Sequence, residues 1–283
     1  MSTQTGSWAR SDVCGLEALI RVHAGDAELR DQLALGAGWL RQWTTTWLFD
    51  GDQVVCPVRD LDSVPALSSQ PVRRFTWRAR QRHRPGLEFM VSTGRHHGFE
   101  SLEERDLLRA LDFVRVVEVL PQPFRLAFTH TGGHAAHIPD FLAVMPDGGR
   151  WLFDVRPAGL IKDDDALRFA ATREVAAAAG WHYSVVAGWQ PHVVSVLDTL
   201  VSRRRPRKDP LGLQRALLDV AAEGPLPFAD LVESTPWPAL ARTEAIHLLW
   251  HRRLGLNLGE PLRDRSVIWL AAQRTIPRQG KQP

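Results

Sequence analysis

Hydrophobic and polar positions change period several times along this chain, and each change predicts an element. Over residues 1–36 the apolar positions Leu16, Leu19, Ile20, Val22, Leu29, Leu33 and Leu35 alternate with polar ones in helical fashion, ending at Gly36 and Gly38. That pattern predicts a helical extension. From Trp43 to Val58, strand-forming residues flank Asp50-Gly51-Asp52, which predicts a β-hairpin with Asp-Gly in its turn. A Pro/Ser-rich stretch covers 63–71. From Leu102 to Leu111 the period is helical again, and helical stepping sets Glu104 inside the stripe of Leu107, Leu108 and Leu111, with Glu103 and Asp106 off it. Two nearly continuous apolar runs follow, His137 to Met145 and Trp151 to Arg156, as in strands covered on both faces. The order over 100–189, helix, three strands, helix, strand, predicts an α/β domain with a central mixed sheet flanked by helices.

Beyond residue 200 the periodicity stops. Residues 201–210 hold the basic run Arg203-Arg204-Arg205-Pro206-Arg207-Lys208 and two prolines, and predict a linker at a domain boundary. Helical patterns then cover Leu211–Ala222, closed by Gly224, Phe228–Val232, and Pro238–Leu254. Short strand patterns at 255–258 and 266–270 flank a Gly259-Glu260-Pro261 turn. Three helices and a two-stranded wing predict a winged-helix domain over 211–276. The expected plan is an extension and hairpin over 1–72, an α/β domain over 73–200, the linker, and the winged helix.

Composition narrows this little. With 283 residues, 44% hydrophobic and 24% charged, the chain can bury two cores. No apolar run is long enough to span a bilayer and the start carries no signal pattern, so a cytoplasmic protein without membrane contact is expected. Cys14 and Cys56 have neither metal-ligand nor disulfide-framework spacing. Only Lys162, Lys208 and Lys281 are lysines among 35 basic residues, and arginine forks suit phosphate. Around 73–84, Arg74, Arg78 and Arg80 are interleaved with Phe75 and Trp77, which fits either a surface that tracks a nucleic-acid backbone with stacking rings or a strand packing those rings inward.

The chemistry lies in misplaced carboxylates. Left unpaired, a carboxylate on a core-facing stripe costs several kcal/mol, so Glu104 needs an arginine, a proton or a metal. Asp140 and Asp154 are embedded in the two apolar runs, and a turn at Asp147-Gly148-Gly149 allows hairpin pairing to bring them side by side. Strand alternation puts Arg156 on the face of Asp154. Paired carboxylates repel unless a cation sits between them, and magnesium accepts such oxygens readily. Glu104 from the facing helix would complete the cage, and a cation two residues after Asp154 would stabilise developing charge. His130, His134 and His137 have spacings similar to zinc ligands, but Gly132-Gly133 breaks any helix there and favours turn histidines; His137 alone is adjacent to the Pro139-Asp140 pair. Gln122 suits either a phosphate or the backbone groups at a strand end.

The blocks Glu100-Ser-Leu-Glu-Glu-Arg-Asp-Leu-Leu, Gln122-Pro-Phe-Arg-Leu, His137-Ile-Pro-Asp-Phe-Leu, Asp154-Val-Arg-Pro and Gly180-Trp-His-Tyr together resemble the TnsA-like endonuclease subunits of heteromeric transposases, within the PD-(D/E)xK superfamily. The resemblance covers residues 73 to about 190. It implies a restriction-endonuclease-like fold and an endodeoxyribonuclease requiring Mg2+, with Mn2+ able to substitute. It further implies that Glu104, Asp140 and Asp154 are metal ligands and that Arg156 stands where the family has lysine. Arg74, Trp77, Arg78, Arg80 and His137 are then candidate DNA contacts. Such subunits cut the 5′ strands at the ends of the mobile element while a DDE-type transposase cuts the 3′ strands. An AAA+ ATPase regulates both, and the C-terminal domain contacts it. Arginine stays protonated and presents a planar fork, so Arg156 stabilises charge without acting as a base. Two further readings remain: an assembly subunit with a weakened site that binds DNA through Arg242, Arg252 and Arg253, and a stand-alone restriction or phage-defence nuclease.

Overall fold

A computed structural model describes residues 9–25, 27–73 and 85–272. The chain divides into two compact units, one of residues 19–190 and one combining the residues before Leu19 with those from Pro191 onward.

In chain order the first unit contains β1 (Ile20–Val22), α1 (Ala27–Arg30), α2 (Trp39–Gln42), β2 (Thr44–Phe49), β3 (Asp52–Pro57), β4 (Gly86–Met90), β5 (Arg95–Phe99) and α3 (Leu102–Phe113). It continues with β6 (Glu118–Pro121), β7 (Arg125–His130), β8 (Gly133–His137), β9 (Phe141–Val144), β10 (Arg150–Val155), α4 (Asp163–Ala178) and β11 (His182–Trp189). The central sheet has the order β1-β11-β10-β9-β6 and is mixed, because β10 and β11 run parallel across α4 while the other pairs are antiparallel. A second sheet, β3-β2-β7-β8, and the β4-β5 ribbon accompany it. Trp43, Trp47, Phe124, Leu142, Leu152 and Val175 form much of the core between these layers.

The described residues between 9 and 36 do not form the expected helical extension. A 3-10 turn at Leu16–Ala18, strand β1 and the single turn of α1 share the stretch, and their apolar positions together imitate a helical period. The β-branched Ile20 and Val22 favour extended backbone and pair with Trp189 and Val186 at the edge of the central sheet. The expected hairpin forms as β2-β3, with Asp50 and Gly51 both at positive φ, 49° and 92°, as a type I′ turn requires.

The apolar run His137–Met145 is two strands. His137 ends β8 in one sheet and Phe141 begins β9 in the other. Pro139, which has no N–H for a ladder, stands at the crossing, and Asp140 follows it. That break turns one expected strand into the junction at which the site is built.

The second unit contains α5 (Val193–Val201), α6 (Leu213–Ala222), β12 (Leu226–Pro227), α7 (Phe228–Glu233), α8 (Pro238–Trp250), β13 (Leu254–Gly255) and β14 (Val267–Leu270). Its three strands take the order β12-β14-β13, one more than the expected wing. The division between units falls at Gln190, upstream of the basic run, because α5 buries Val193, Val196, Leu197 and Leu200 and packs on α8. Residues 9–18 complete this unit. Ser11 N–H donates to the Leu256 carbonyl at 3.0 Å, Leu256 N–H to Ser11 Oγ at 2.9 Å, and Arg252 Nη2 to the Cys14 carbonyl at 2.7 Å. Buried Asp12 accepts from Trp269 Nε1 at 3.1 Å and pairs with Arg10 at 3.0 Å. Among the described residues no helix is long and apolar enough to cross a membrane.

Candidate acidic site

Asp140 occupies the sheet crossing. Its N–H donates to the Phe153 carbonyl at 3.0 Å, its own carbonyl accepts from Gln122 N–H at 2.8 Å, and its Oδ2 accepts from Val155 N–H at 2.7 Å. Since Phe141 pairs with Phe153, Asp140 stands opposite Asp154. Burial pushes the Asp140 carboxyl well above the usual carboxylate range, and the neighbouring negative charges of Asp154 and Glu104 push it further. Three carboxylates from α3, the crossing and β10 thus lie within electrostatic reach of one another. Among the described residues no hydrogen bond reaches Asp140 Oδ1.

Asp154 is buried at 2% exposure on the central strand β10. Its Oδ1 accepts from His137 Nε2 at 2.8 Å, and its Oδ2 accepts from the Tyr183 hydroxyl at 2.5 Å. His137 therefore orients Asp154 from β8, and Tyr183 does so from β11. Burial first, and then the adjacent Asp154 charge, raise the Tyr183 hydroxyl well above its ordinary value, so it remains a donor. The Arg173 guanidinium lies 5.7 Å from the Tyr183 ring centroid. Tyr183 belongs to the Gly180-Trp-His-Tyr block and is the only tyrosine of the chain, yet sequence reasoning gave it no role.

Glu104 is half-buried in the first turn of α3 rather than set fully in the core. Its Oε2 accepts from Glu100 N–H at 2.8 Å and its Oε1 from Ser101 Oγ at 3.0 Å, while Glu104 N–H donates to Ser101 Oγ at 3.1 Å. This reciprocal cap follows from the Ser-x-x-Glu spacing, a signal present in the sequence. Burial nevertheless raises the carboxyl from 4.5 to about 7, outweighing the two hydrogen bonds that favour the charged form.

Arg156 is not directed onto the carboxylates. Its Nε donates to the Leu160 carbonyl at 3.2 Å and lies 3.5 Å from Asp165 at the start of α4. Shared strand phase with Asp154 fixed the Cα, whereas the 158–160 turn and α4 supply the partners that draw the side chain away. Gln122 is strained. Its φ is +46°, its side chain is 6% exposed, and its Oε1 is buried without a hydrogen-bond partner. Arg74, Trp77, Arg78 and Arg80 lie outside the described residues.

Among the described residues no group of three or more His, Cys, Asp and Glu side chains is set closely enough to hold a metal. Hydrogen bonds account for this. Glu104 is folded back on its own helix terminus, and Asp154 is gripped on both oxygens. By chemistry the three side chains suit a hard divalent cation, since all are carboxylates, Asp140 keeps one oxygen without a partner among the described residues, and their mutual repulsion is what such a cation relieves. Compared with known proteins, the sequence matches no family model and no curated protein.

Proposed function

We propose that residues 19–190 form a metal-dependent DNA endonuclease of the PD-(D/E)xK kind, with a restriction-endonuclease-like sheet, acting as the nuclease subunit of a heteromeric transposase. The observation that carries this reading is the junction at Asp140, where the crossing between two sheets sets a half-buried carboxyl opposite the buried Asp154 and bonds its Oδ2 to Val155 N–H at 2.7 Å. Carboxylates gathered at one partly desolvated point suit a group that takes up a cation. Glu104, Asp140 and Asp154 would hold Mg2+, with Mn2+ able to replace it. When bound, the metal supplies Lewis-acid polarisation of a phosphodiester and a water of lowered pKa. His137 and Tyr183 keep Asp154 oriented, as outer partners of metal ligands do. To hold the metal Glu104 would exchange its capping contacts for it, and Arg156, drawn toward Asp165, would act only as a positive charge at a distance. The helix-strand-helix-helix-strand-strand order after α5 supports a winged-helix domain, the part through which an AAA+ ATPase would be contacted. The DDE-type transposase and transposon-end duplex complete the expected partners.

A second reading is an assembly subunit whose site no longer cuts. The Arg156–Asp165 contact favours it. Its proposed DNA contacts fare less well, because Arg252 is buried and Arg242 is paired with Asp264 at 2.7 Å. Strand nicking on element-end DNA with Mg2+ or Mn2+, in the presence of the partner transposase, tests the choice. The nuclease reading expects 5′-strand nicking abolished by Glu104→Ala, Asp140→Asn and Asp154→Ala. Nicking that survives all three substitutions sinks the site; no nicking by the wild type, with DNA still bound, supports the assembly subunit.

A further inference from the structure

The basic run after α5 is held to the second unit along its main chain rather than strung between domains. Arg203 and Arg204 N–H groups bond back to the carbonyls of Leu200 and Val201 at 3.0 and 3.3 Å. Their own carbonyls are taken by α8 and its C-terminal cap, with His247 Nδ1 2.8 Å from the Arg203 carbonyl and His251 Nε2 2.9 Å from that of Arg204. The two imidazole centroids lie 4.3 Å apart with their planes tilted by 59°, so a pair of contacting rings grips two consecutive peptide units. Downstream, Arg207 pairs with Glu244 of α8 at 3.1 Å, and Asp209 caps α6 by accepting from Gln214 N–H at 3.0 Å and Arg215 N–H at 3.3 Å. Pro206 removes further backbone freedom between these anchors.

Five of the six residues 203–208 are cationic, and Arg203, Arg205, Arg207 and Lys208 are exposed. An unanchored charge run is only solvated chain. Here the protein directs two histidine N–H groups, one of them on the buried His247, at ordering the main chain from which those cations project. A row of cations at fixed spacing fits a polyanion of regular charge spacing and binds it with little loss of chain entropy.

We infer that residues 203–208 form a preorganised strap that binds the phosphate backbone of double-stranded DNA. Its contacts are sequence-independent, and guanidinium forks make them to phosphate oxygens. This rests on the DNA-directed function proposed above, and it assigns the C-terminal unit a duplex contact distinct from Arg242, Arg252 and Arg253.

Fluorescence anisotropy of the full chain on a labelled random-sequence duplex, in EDTA across a salt series, tests the strap. Replacing Arg203, Arg205 and Lys208 by Ser should weaken binding by at least about tenfold at ~0.1 M salt and reduce the slope of log K against log salt by roughly 2 to 3. Replacing His247 and His251 by Phe keeps every strap charge while freeing the main chain, so affinity should fall a few-fold with the slope unchanged. Circular dichroism establishes that each variant is folded, and if the histidine pair is required for folding, the charge variant decides alone. Wild-type affinity and slope in the charge variant overturn the strap while leaving the nuclease reading intact. No duplex binding by the wild-type chain overturns both. Loss of binding to phosphatidylserine vesicles, with duplex binding unchanged, assigns the cations to a lipid surface instead.

Discussion

Glu104→Gln should be neutral near pH 5 and increasingly stabilising as pH rises. The folded state holds the Glu104 proton more tightly than the unfolded chain, with its pKa raised by burial from 4.5 to about 7. A raised carboxyl leaves stability intact below the unfolded value and removes it as pH climbs through the folded one. At ~1.4 kcal/mol per tenfold change in proton affinity, the loss by pH 8 is about 3 kcal/mol, and at pH 5 less than about 1 kcal/mol. Glutamine keeps the shape of the cap but cannot ionise, and losing part of the cap costs about 1 kcal/mol. The variant should therefore match the wild type near pH 5 and exceed it by about 2 kcal/mol at pH 8. His97 works in the opposite sense, because burial lowers it from 6.5 to about 4, and its stabilisation is lost as pH falls through that window. It acts equally in both proteins and cancels in the difference. Urea unfolding in EDTA, followed by tryptophan fluorescence from pH 5 to 8, measures that difference. A parallel pair of profiles would refute the reasoning. Adding ~10 mM Mg2+ at pH 8 should stabilise the wild type by roughly 1 to 2 kcal/mol for a millimolar site, and the variant less.

Tyr183→Phe leaves Asp154 Oδ2 without its donor in a buried site, and a hydrogen bond to a charged group contributes about 1.5–3 kcal/mol, so denaturant unfolding should show a loss of that size together with reduced nicking. At Gln122, glycine adopts the +46° backbone without strain, whereas β-branched valine cannot; Gln122→Gly should retain wild-type stability within ~1 kcal/mol and Gln122→Val should lose roughly 2 kcal/mol in the same assay. Asp12→Ala leaves the part-buried Trp269 Nε1 without its acceptor, while the exposed Arg10 guanidinium stays solvated, and a cost of about 1–3 kcal/mol should appear in urea unfolding of the full chain. For Arg156→Lys, a compact cation in place of the fork held by Asp165 should raise Mg2+-dependent nicking several-fold; unchanged nicking would show that the side chain at 156 contributes little.

The carboxylates were legible because apolar runs made them conspicuous. Asp140 beside Asp154 follows from hairpin pairing, and that register forms. The crossing between two sheets was harder to read, since Pro139 interrupts the apolar run for a single residue and alternation alone cannot say which sheet each half joins. Glu104 illustrates two signals at one position: its helical phase points inward, while its Ser101 spacing ties the carboxylate to the helix terminus. Arg156 shows that strand phase sets where a Cα faces but not where a long guanidinium finds partners. The role of residues 9–22 was illegible because their companions, Leu256, Trp269 and Trp189, lie 169 to 257 positions away in sequence.

Strand β1 brings the two ends of the acidic-site unit together. Leu19 and Gln190, the first and last residues of the acidic-site unit, are hydrogen-bonded neighbours, with the Gln190 N–H 2.9 Å from the Leu19 carbonyl. A module whose entry and exit points touch can be lifted out or dropped into a host loop without stretching either partner. The second unit, interrupted at residue 18 and resumed at 191, is in that sense a host, and the acidic-site unit is its cassette. A short turn joining Ala18 to Pro191 should then leave a host that folds without its passenger, and the reverse graft offers a way to carry the acidic site onto other scaffolds.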